Sequence, residues 1–447
     1  MSGIIFQLRD LLWGGPLLIL LLGTGLYQTY RLKGITFRYL PLALKLVFGK
    51  KKPINAKGDI SSFQSLMTAL AGAIGTGSIS GIATAIAIGG LGSLFWMWVA
   101  ALLGMATAFS EALLAVKYRI EMPNGSMAGG PMYILSKGLS YKKWAIFFSV
   151  VAAVTALGTG CAVQSNSVAH AIESLIAVPR LMTGILMAIT AGLVILGGVK
   201  SIGKVAGVLV PFMAGLYLLA GLCVLGFHFD KIWMALELII QSAFTGQAAM
   251  GGFAGATMLM AIERGISKGL FSNEAGLGSL PIAAASAQTD EPTYQGLLAI
   301  SGVFISTMLI CTITGLVIAV TGVLNEGLTG SALALAAFGS TWNVLPYIVV
   351  VGLILFAFTT VLAWEYYGEK CVEFLIGTKG IIGYRCVYIA MLVLGAIADL
   401  DLIWAIADIA NAFMAIPNLI AIIGLSSVVK IEAEGYFAKI KLQKIYQ

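Results

Sequence analysis

Eleven stretches of this chain are each apolar over roughly the 20 residues a helix needs to cross a bilayer. They lie near 12–29, 63–90, 93–116, 145–173, 181–199, 205–227, 260–287, 295–323, 343–364, 381–398 and 402–428. A twelfth apolar stretch, 231–259, complicates the count. In lipid, every backbone polar group must find its partner inside the protein, so such a chain is expected to be a bundle of spanning helices. Only 11% of its 447 residues are charged and 59% are hydrophobic. A soluble domain carries about a quarter charged residues. The exterior must therefore face hydrocarbon, and the expected class is an all-α integral membrane protein.

Charge sets the expected orientation. The formal net charge is +7, and the basic residues fall in alternate loops. Arg31, Lys33, Arg38, Lys45, Lys50, Lys51, Lys52 and Lys57 follow the first span. Lys117, Arg119, Lys137, Lys142 and Lys143 follow the third, Lys200 and Lys204 the fifth, and Lys430, Lys439, Lys441 and Lys444 the last. Asp230, Glu326, Asp399 and Asp401 occupy the opposite turns. The positive-inside rule puts the basic loops and the C-terminus in the cytoplasm and the N-terminus outside. The positive charge needs no nucleic acid to explain it, since no basic stripe interleaved with aromatics is present. Cys161, Cys223, Cys311, Cys371 and Cys386 are scattered, and His170 and His228 are the only imidazoles. That argues against a disulfide framework or a zinc site. No basic leader with a cleavage site is expected from the N-terminal residues. The chain is expected to divide into 1–57, an N-terminal transmembrane helix with an amphipathic cytoplasmic segment at about 36–50; 58–428, the membrane core; and 429–447, a cytoplasmic tail.

Two spans are interrupted by glycine-rich runs, Ala71–Gly81 (AGAIGTGSISG) and Gly269–Pro281 (GLFSNEAGLGSLP). Each glycine costs a helix interior about 1 kcal/mol against alanine, so unwound backbone is expected at both. Unwound backbone at membrane depth survives only where it is buried in protein or lines a cavity, and its free N–H and C=O groups can hold a carboxylate or a cation. Close packing through small residues is the plainer account of either run alone. Their positions, in the first and sixth spans after the basic loop, match a five-plus-five inverted repeat. Glu274 lies within the second run, and a carboxylate at that depth is a functional group by default; bracing the break is its structural alternative. Glu111 reads as a structural partner for a buried donor, or as a residue near the inner interface. Thr359 and Thr360 could add hydroxyls to an oxygen cage for a hard cation, or bond their own helix.

The segments GDISSFQSLMTALAGAIGTG (58–77), FWMW (95–98), LAVKYR (114–119), GGPMYIL (129–135), GLFSNEAGLGS (269–279) and PIAAASAQTDEP (281–292) together resemble the alanine/glycine:cation symporter family. Departures are Ser78, where the family usually reads Asn; Gly89-Gly90-Leu91-Gly92, where it reads GGPG; and Ala108, where it often has Lys. The resemblance implies a LeuT-type fold with one extra N-terminal helix, no enzymatic chemistry, and symport of Na⁺ with a small amino acid. It places 231–259 as an outer cap and the GLFSNEAGLG helix as core helix six; the competing arrangement makes 232–262 the span and 269–287 re-entrant. It also implies a Na⁺ site made by the carbonyls of Ala71, Ile74 and Phe356 with the hydroxyls of Thr359 and Thr360. Gly72 offers no side chain for a second ion, so one Na⁺ per cycle is expected. The substrate carboxylate would meet Thr76, Gly77 and Ser78. Its ammonium would meet the backbone at Phe271 and Ser272, with Glu274, in the run that holds Gly276. Gln164, Asn166 and Asn411 would add polar contacts, and Phe271 and Trp364 would wall the methyl pocket. The expected protein is a monomer of the plasma membrane. A carrier driven by H⁺ through Glu274 is the alternative, and a channel a more distant one.

Overall fold

The computed structural model describes residues 2–49, 56–245 and 258–445. The calls on Lys50–Lys52 and on the middle of 231–259 lie outside the described residues. Among the described residues, eight helices are long and apolar enough to cross a membrane, and other spans are short or broken.

The chain begins with α1 (Ser2–Trp13) and α2 (Pro16–Arg31), bent at Gly14-Gly15, followed by α3 (Ile35–Val47). The first interrupted helix is α4 (Ser62–Ala73) and α5 (Ser80–Gly89). Ser61 and Gln64 start it with a reciprocal cap: the Gln64 N–H donates to Ser61 Oγ, and the Ser61 N–H to Gln64 Oε1, which satisfies two of the orphan donors of a helix start. Next come α6 (Gly92–Tyr118), a short hairpin of β1 (Ile120–Glu121) and β2 (Met127–Ala128), and α7 (Pro131–Tyr133). Helices α8 (Lys142–Thr155) and α9 (Val163–Ile176) form one rod with a π-helical stretch, Ala156–Ala162, at its centre. Helices α10 (Arg180–Ile195), α11 (Gly198–Phe227) and α12 (Ile232–Thr245) complete the first half.

The second half opens with another interrupted helix, α13 (Met258–Asn273) and α14 (Leu280–Ala285). Then follow α15 (Pro292–Val303) and α16 (Thr312–Thr321), joined through a second π stretch, Phe304–Cys311; α17 (Gly330–Gly339); α18 (Leu345–Ile376); α19 (Ile381–Ile397); α20 (Leu400–Gly424); and α21 (Ser426–Ile445). The described parts of 231–287 thus match the first of the two sequence arrangements. The broken helix is 258–285, while α12 packs outside it on α6, α13 and α16.

The two broken helices lie antiparallel. The later half of the first, α5, packs on the earlier half of the second, α13, and α14 packs on α4. This is the five-plus-five inverted repeat, with both breaks meeting at mid-depth. On the other side α18 packs along α4, and α8 and α9 pack on α18. Outward-facing apolar side chains such as Leu193, Leu219 and Leu394 are exposed, which suits a surface immersed in lipid.

Candidate functional site

Both breaks are shorter than the glycine-rich runs that announced them. Helix α4 stops at Ala73, and a single 3-10 turn, Thr76–Ser78, bridges to α5. Helix α13 runs through Gly269 and Phe271 to Asn273, and the unwound part is 274–279. Glu274 sits there with φ of 56°, a left-handed conformation that a side chain other than Asn or Asp seldom adopts and that recurs at functional sites. Gly276 (φ 89°) and Gly278 (φ 91°) continue the strained turn.

The two breaks and α18 enclose a small cavity lined by Gly72, Gly75, Gly77, Thr159, Gln164, Phe271, Glu274, Leu277, Thr360, Trp364 and Asn411. It measures about 10 Å³, roughly the room for one water by that measure. Glycine sets its width. A Cβ on Gly75 would stand 2.8 Å from Thr360 Oγ1, and one on Gly77 2.9 Å from the Phe271 ring.

Glu274 is fully buried and has a donor on each oxygen: Trp364 Nε1 on Oε1 at 2.9 Å, and Ser279 Oγ on Oε2 at 2.7 Å. It therefore ties the two ends of its own break and fixes the indole that walls the cavity. Glu111 braces the break from outside. Its Oε1 accepts the N–H groups of Gly276 and Gly278 at 3.2 Å and Asn418 Nδ2 at 2.6 Å. This is the buried-donor role read from the sequence.

Across the cavity, Gln164 Oε1 accepts both the Thr76 N–H (3.2 Å) and Thr76 Oγ1 (3.1 Å), and its Nε2 donates to the Thr159 carbonyl at 3.1 Å. Asn411 Nδ2 donates to Thr159 Oγ1 at 3.0 Å, leaving its buried Oδ1 without a hydrogen-bond partner.

One end of the cavity borders an oxygen-rich seam between α4 and α18. Thr360 Oγ1 lies 2.8 Å from the Ala71 carbonyl oxygen and 2.9 Å from that of Phe356, and Thr359 Oγ1 is 3.1 Å from the latter. Ile74 caps α4 beside them. All of these residues are buried. The donor set is neutral oxygen, the chemistry that suits a hard cation and not a soft metal.

Not every expected residue faces the cavity. Ser78 and Ser272 pair with each other at 3.1 Å, and Ser272 also contacts Cys311 Sγ at 2.9 Å, so both hydroxyls lie behind the breaks. The Ser78 N–H is held by the Gly75 carbonyl. Gly276 belongs to the Glu111 brace. Asn166 donates to the carbonyls of Gly395 and Ala398, an interhelical role.

Both approaches to the cavity are closed. On one side the Phe271 and Trp404 rings lie 5.5 Å apart, and Lys268 stands over both rings, 4.0 Å from Asp408 on α20. On the other side, Arg119 at the end of α6 donates to the carbonyls of Lys57, Ala285, Ala287 and Thr289. That one side chain joins the start of α4, the end of α14 and α6. Asp59 supports it by accepting the Met127 N–H with both oxygens. Thr159, Lys268 and Asp408 were not singled out from the sequence. The last two carried a usable signal, since each is a charge inside an apolar span; the run Gly158-Thr159-Gly160 marked the π stretch.

Two discontinuous helices crossing at a buried polar pocket, each access closed by separable contacts, define a secondary transporter of the LeuT-type fold. The solved structure of MhsT in complex with L-phenylalanine superposes with a TM-score of 0.64 at 13% identity, covering 85% of this chain and 93% of that one; the likeness speaks for the fold. The sodium:alanine symporter family model matches residues 1–446, and the chain belongs to that family. Among relatives, the sodium/alanine symporter AgcS of Methanococcus maripaludis is 48% identical over 97% of this chain and 96% of its own length. The probable sodium/glutamine symporter GlnT of Bacillus subtilis is 38% identical over 98% and 91%. The chain is accordingly a membrane transporter of the sodium:alanine symporter family, not an enzyme.

Proposed function

We propose that this protein is a Na⁺-coupled symporter of alanine and glycine that works by alternating access as a monomer in the plasma membrane, N-terminus outside. The observation that carries the reading is the oxygen seam of Ala71, Phe356, Thr359 and Thr360 bordering a very small polar cavity.

Na⁺, as co-substrate, sits between α4 and α18 on the carbonyls of Ala71, Ile74 and Phe356 and the hydroxyls of Thr359 and Thr360. It needs those hydroxyls as acceptors, so the Thr360 proton points away when the ion is bound. The amino acid enters beside it. Its carboxylate takes the place of Gln164 Oε1 on the Thr76 N–H and meets Gly77. Its ammonium meets Asn411 Oδ1, the free acceptor, with Glu274 supplying negative charge close by. Phe271, Leu277 and Trp364 close on the side chain. In this closed form the cavity has room for about one water, so any substrate requires the breaks to part. A methyl group or hydrogen asks the least opening, whereas a glutamine or phenylalanine side chain would also have to displace Trp364, which Glu274 holds. Release follows when Arg119 lets go of the ends of α4 and α14. Coupling arises because ion and substrate share the α4 break, each ordering it for the other.

The alternative in which H⁺ drives transport rests on the buried Glu274 carboxyl. Equilibrium binding of glycine, alanine, glutamine and phenylalanine, in Na⁺ and in choline, tests the reading. Binding of glycine and alanine that needs Na⁺ is expected. Equal binding of glutamine would refute the size argument, and binding indifferent to Na⁺ would refute the cation seam.

A further inference from the structure

One polar cavity lies outside the transport path just described. It lies where the end of α2, the turn into α3 and the helix α21 come together, and it encloses about 230 Å³. Its walls carry Arg31, Lys33, Arg38 and Lys430, against a single acid, Glu434. Four bases and one acid give it a formal charge of +3. Lys33 and Lys430 share Glu434, each at 3.9 Å. Among the described residues, Arg31 and Arg38 have no acidic partner. Arg31 is anchored by one amino group on Ser427 Oγ at 2.8 Å, while its Nε is buried without a hydrogen-bond partner. The floor is aromatic: Tyr39 and Phe437 stack with centroids 3.9 Å apart.

The buried Arg31 Nε is costly unless an acceptor completes it, Arg38 stands exposed at the rim without an acid, and a planar guanidinium fits phosphate oxygens two at a time. The surroundings say where that phosphate comes from. Helix α3 packs on α6 and α15, so it lies against the spanning bundle. Tyr30 is 81% exposed and Phe37 45% exposed on the stretch that frames the cavity. Large apolar side chains exposed beside clustered bases form a surface made for the interface of a bilayer.

We propose that this cavity seats the phosphate of an acidic phospholipid, with the acyl chains running along Tyr30 and Phe37. The bound lipid joins α3 to α21, segments at opposite ends of the sequence that both lie next to the transporting core.

The test uses the purified full chain and three probes: phosphatidylglycerol, phosphatidylcholine and inorganic phosphate. Lipid retention is counted by native mass spectrometry, and stabilisation is read by thermal shift. Phosphatidylglycerol is expected to be retained and to raise the melting temperature; the double variant Arg31→Ala/Arg38→Ala should retain it far less, about fivefold less per charge removed. Lys45→Ala, an exposed charge of α3 outside the cavity, should bind like the parent and so controls for general loss of charge. Equal retention of phosphatidylcholine would overturn the proposal, as would undiminished retention of phosphatidylglycerol by the double variant. Stabilisation by inorganic phosphate as large as that by the lipid would overturn the membrane source.

Discussion

Replacing Thr360 by Val tests the cation seam with little change of shape. The Thr360 hydroxyl stands 2.8 Å from the Ala71 carbonyl oxygen and 2.9 Å from that of Phe356, and Val keeps the branched volume while removing the oxygen. If the hydroxyl is a Na⁺ ligand, the loss is that of a charge-assisted contact in a dry site, about 1.5–3 kcal/mol. That corresponds to a 10- to 100-fold rise, roughly, in the Na⁺ concentration for half-maximal alanine uptake. Thr360→Ser keeps the oxygen and should stay close to the parent. The assay is Na⁺-dependent uptake into proteoliposomes, with Na⁺-free thermal stability recorded in parallel to separate ion loss from misfolding. A Val variant with an unchanged Na⁺ requirement and unchanged stability would refute the placement of the ion.

Other consequences follow from the same geometry. A Cβ on Gly160 would stand 2.0 Å from the Trp364 Cβ, so Gly160→Ala should push the indole off Glu274 and reduce alanine binding more than tenfold, roughly the effect of one lost charge-assisted hydrogen bond; calorimetry reads it. Glu111→Ala orphans the N–H groups of Gly276 and Gly278 and should destabilise the fold by about 2–6 kcal/mol, one to three for each, measured as a fall in melting temperature. Arg119→Ala frees four carbonyls at the closed end and should expose a cysteine placed at Ser286 to labelling from that side. Burial raises the Asp59 carboxyl above its ordinary 3.8, against the opposing pull of the Met127 N–H. An acid whose pKa is raised in the closed form binds its proton more readily there. Closure is thus favoured at low pH and loses that contribution as pH rises through the raised value, and Asp59→Asn should flatten the acid limb of the labelling profile.

The sequence displayed the framework because its physics is local. Glycine clusters in apolar runs mark broken helices, and the breaks at 74–79 and 274–279 fall inside the runs at 71–81 and 269–281. The Thr359-Thr360 pair was visible for the same reason, as hydroxyls where a span needs none. Side-chain direction was not visible. Ser78 and Ser272 flank the breaks as Gly77 and Phe271 do, yet they turn toward Cys311, because a residue's azimuth in an unwound segment follows no helical period. The closures were hidden differently. Arg119 reads as one more base of a cytoplasmic loop, and only the fold gathers the carbonyls of Lys57 and of 285–289 around it.

The central claim, that a Na⁺ gradient drives a small amino acid through this pocket, is tested most directly by alanine accumulation in proteoliposomes holding the purified protein. With an inward Na⁺ gradient, internal alanine should rise above the external concentration, and it should collapse to equilibration when choline replaces Na⁺. Accumulation that persists in choline and follows a pH gradient would contradict the account and shift the coupling to Glu274.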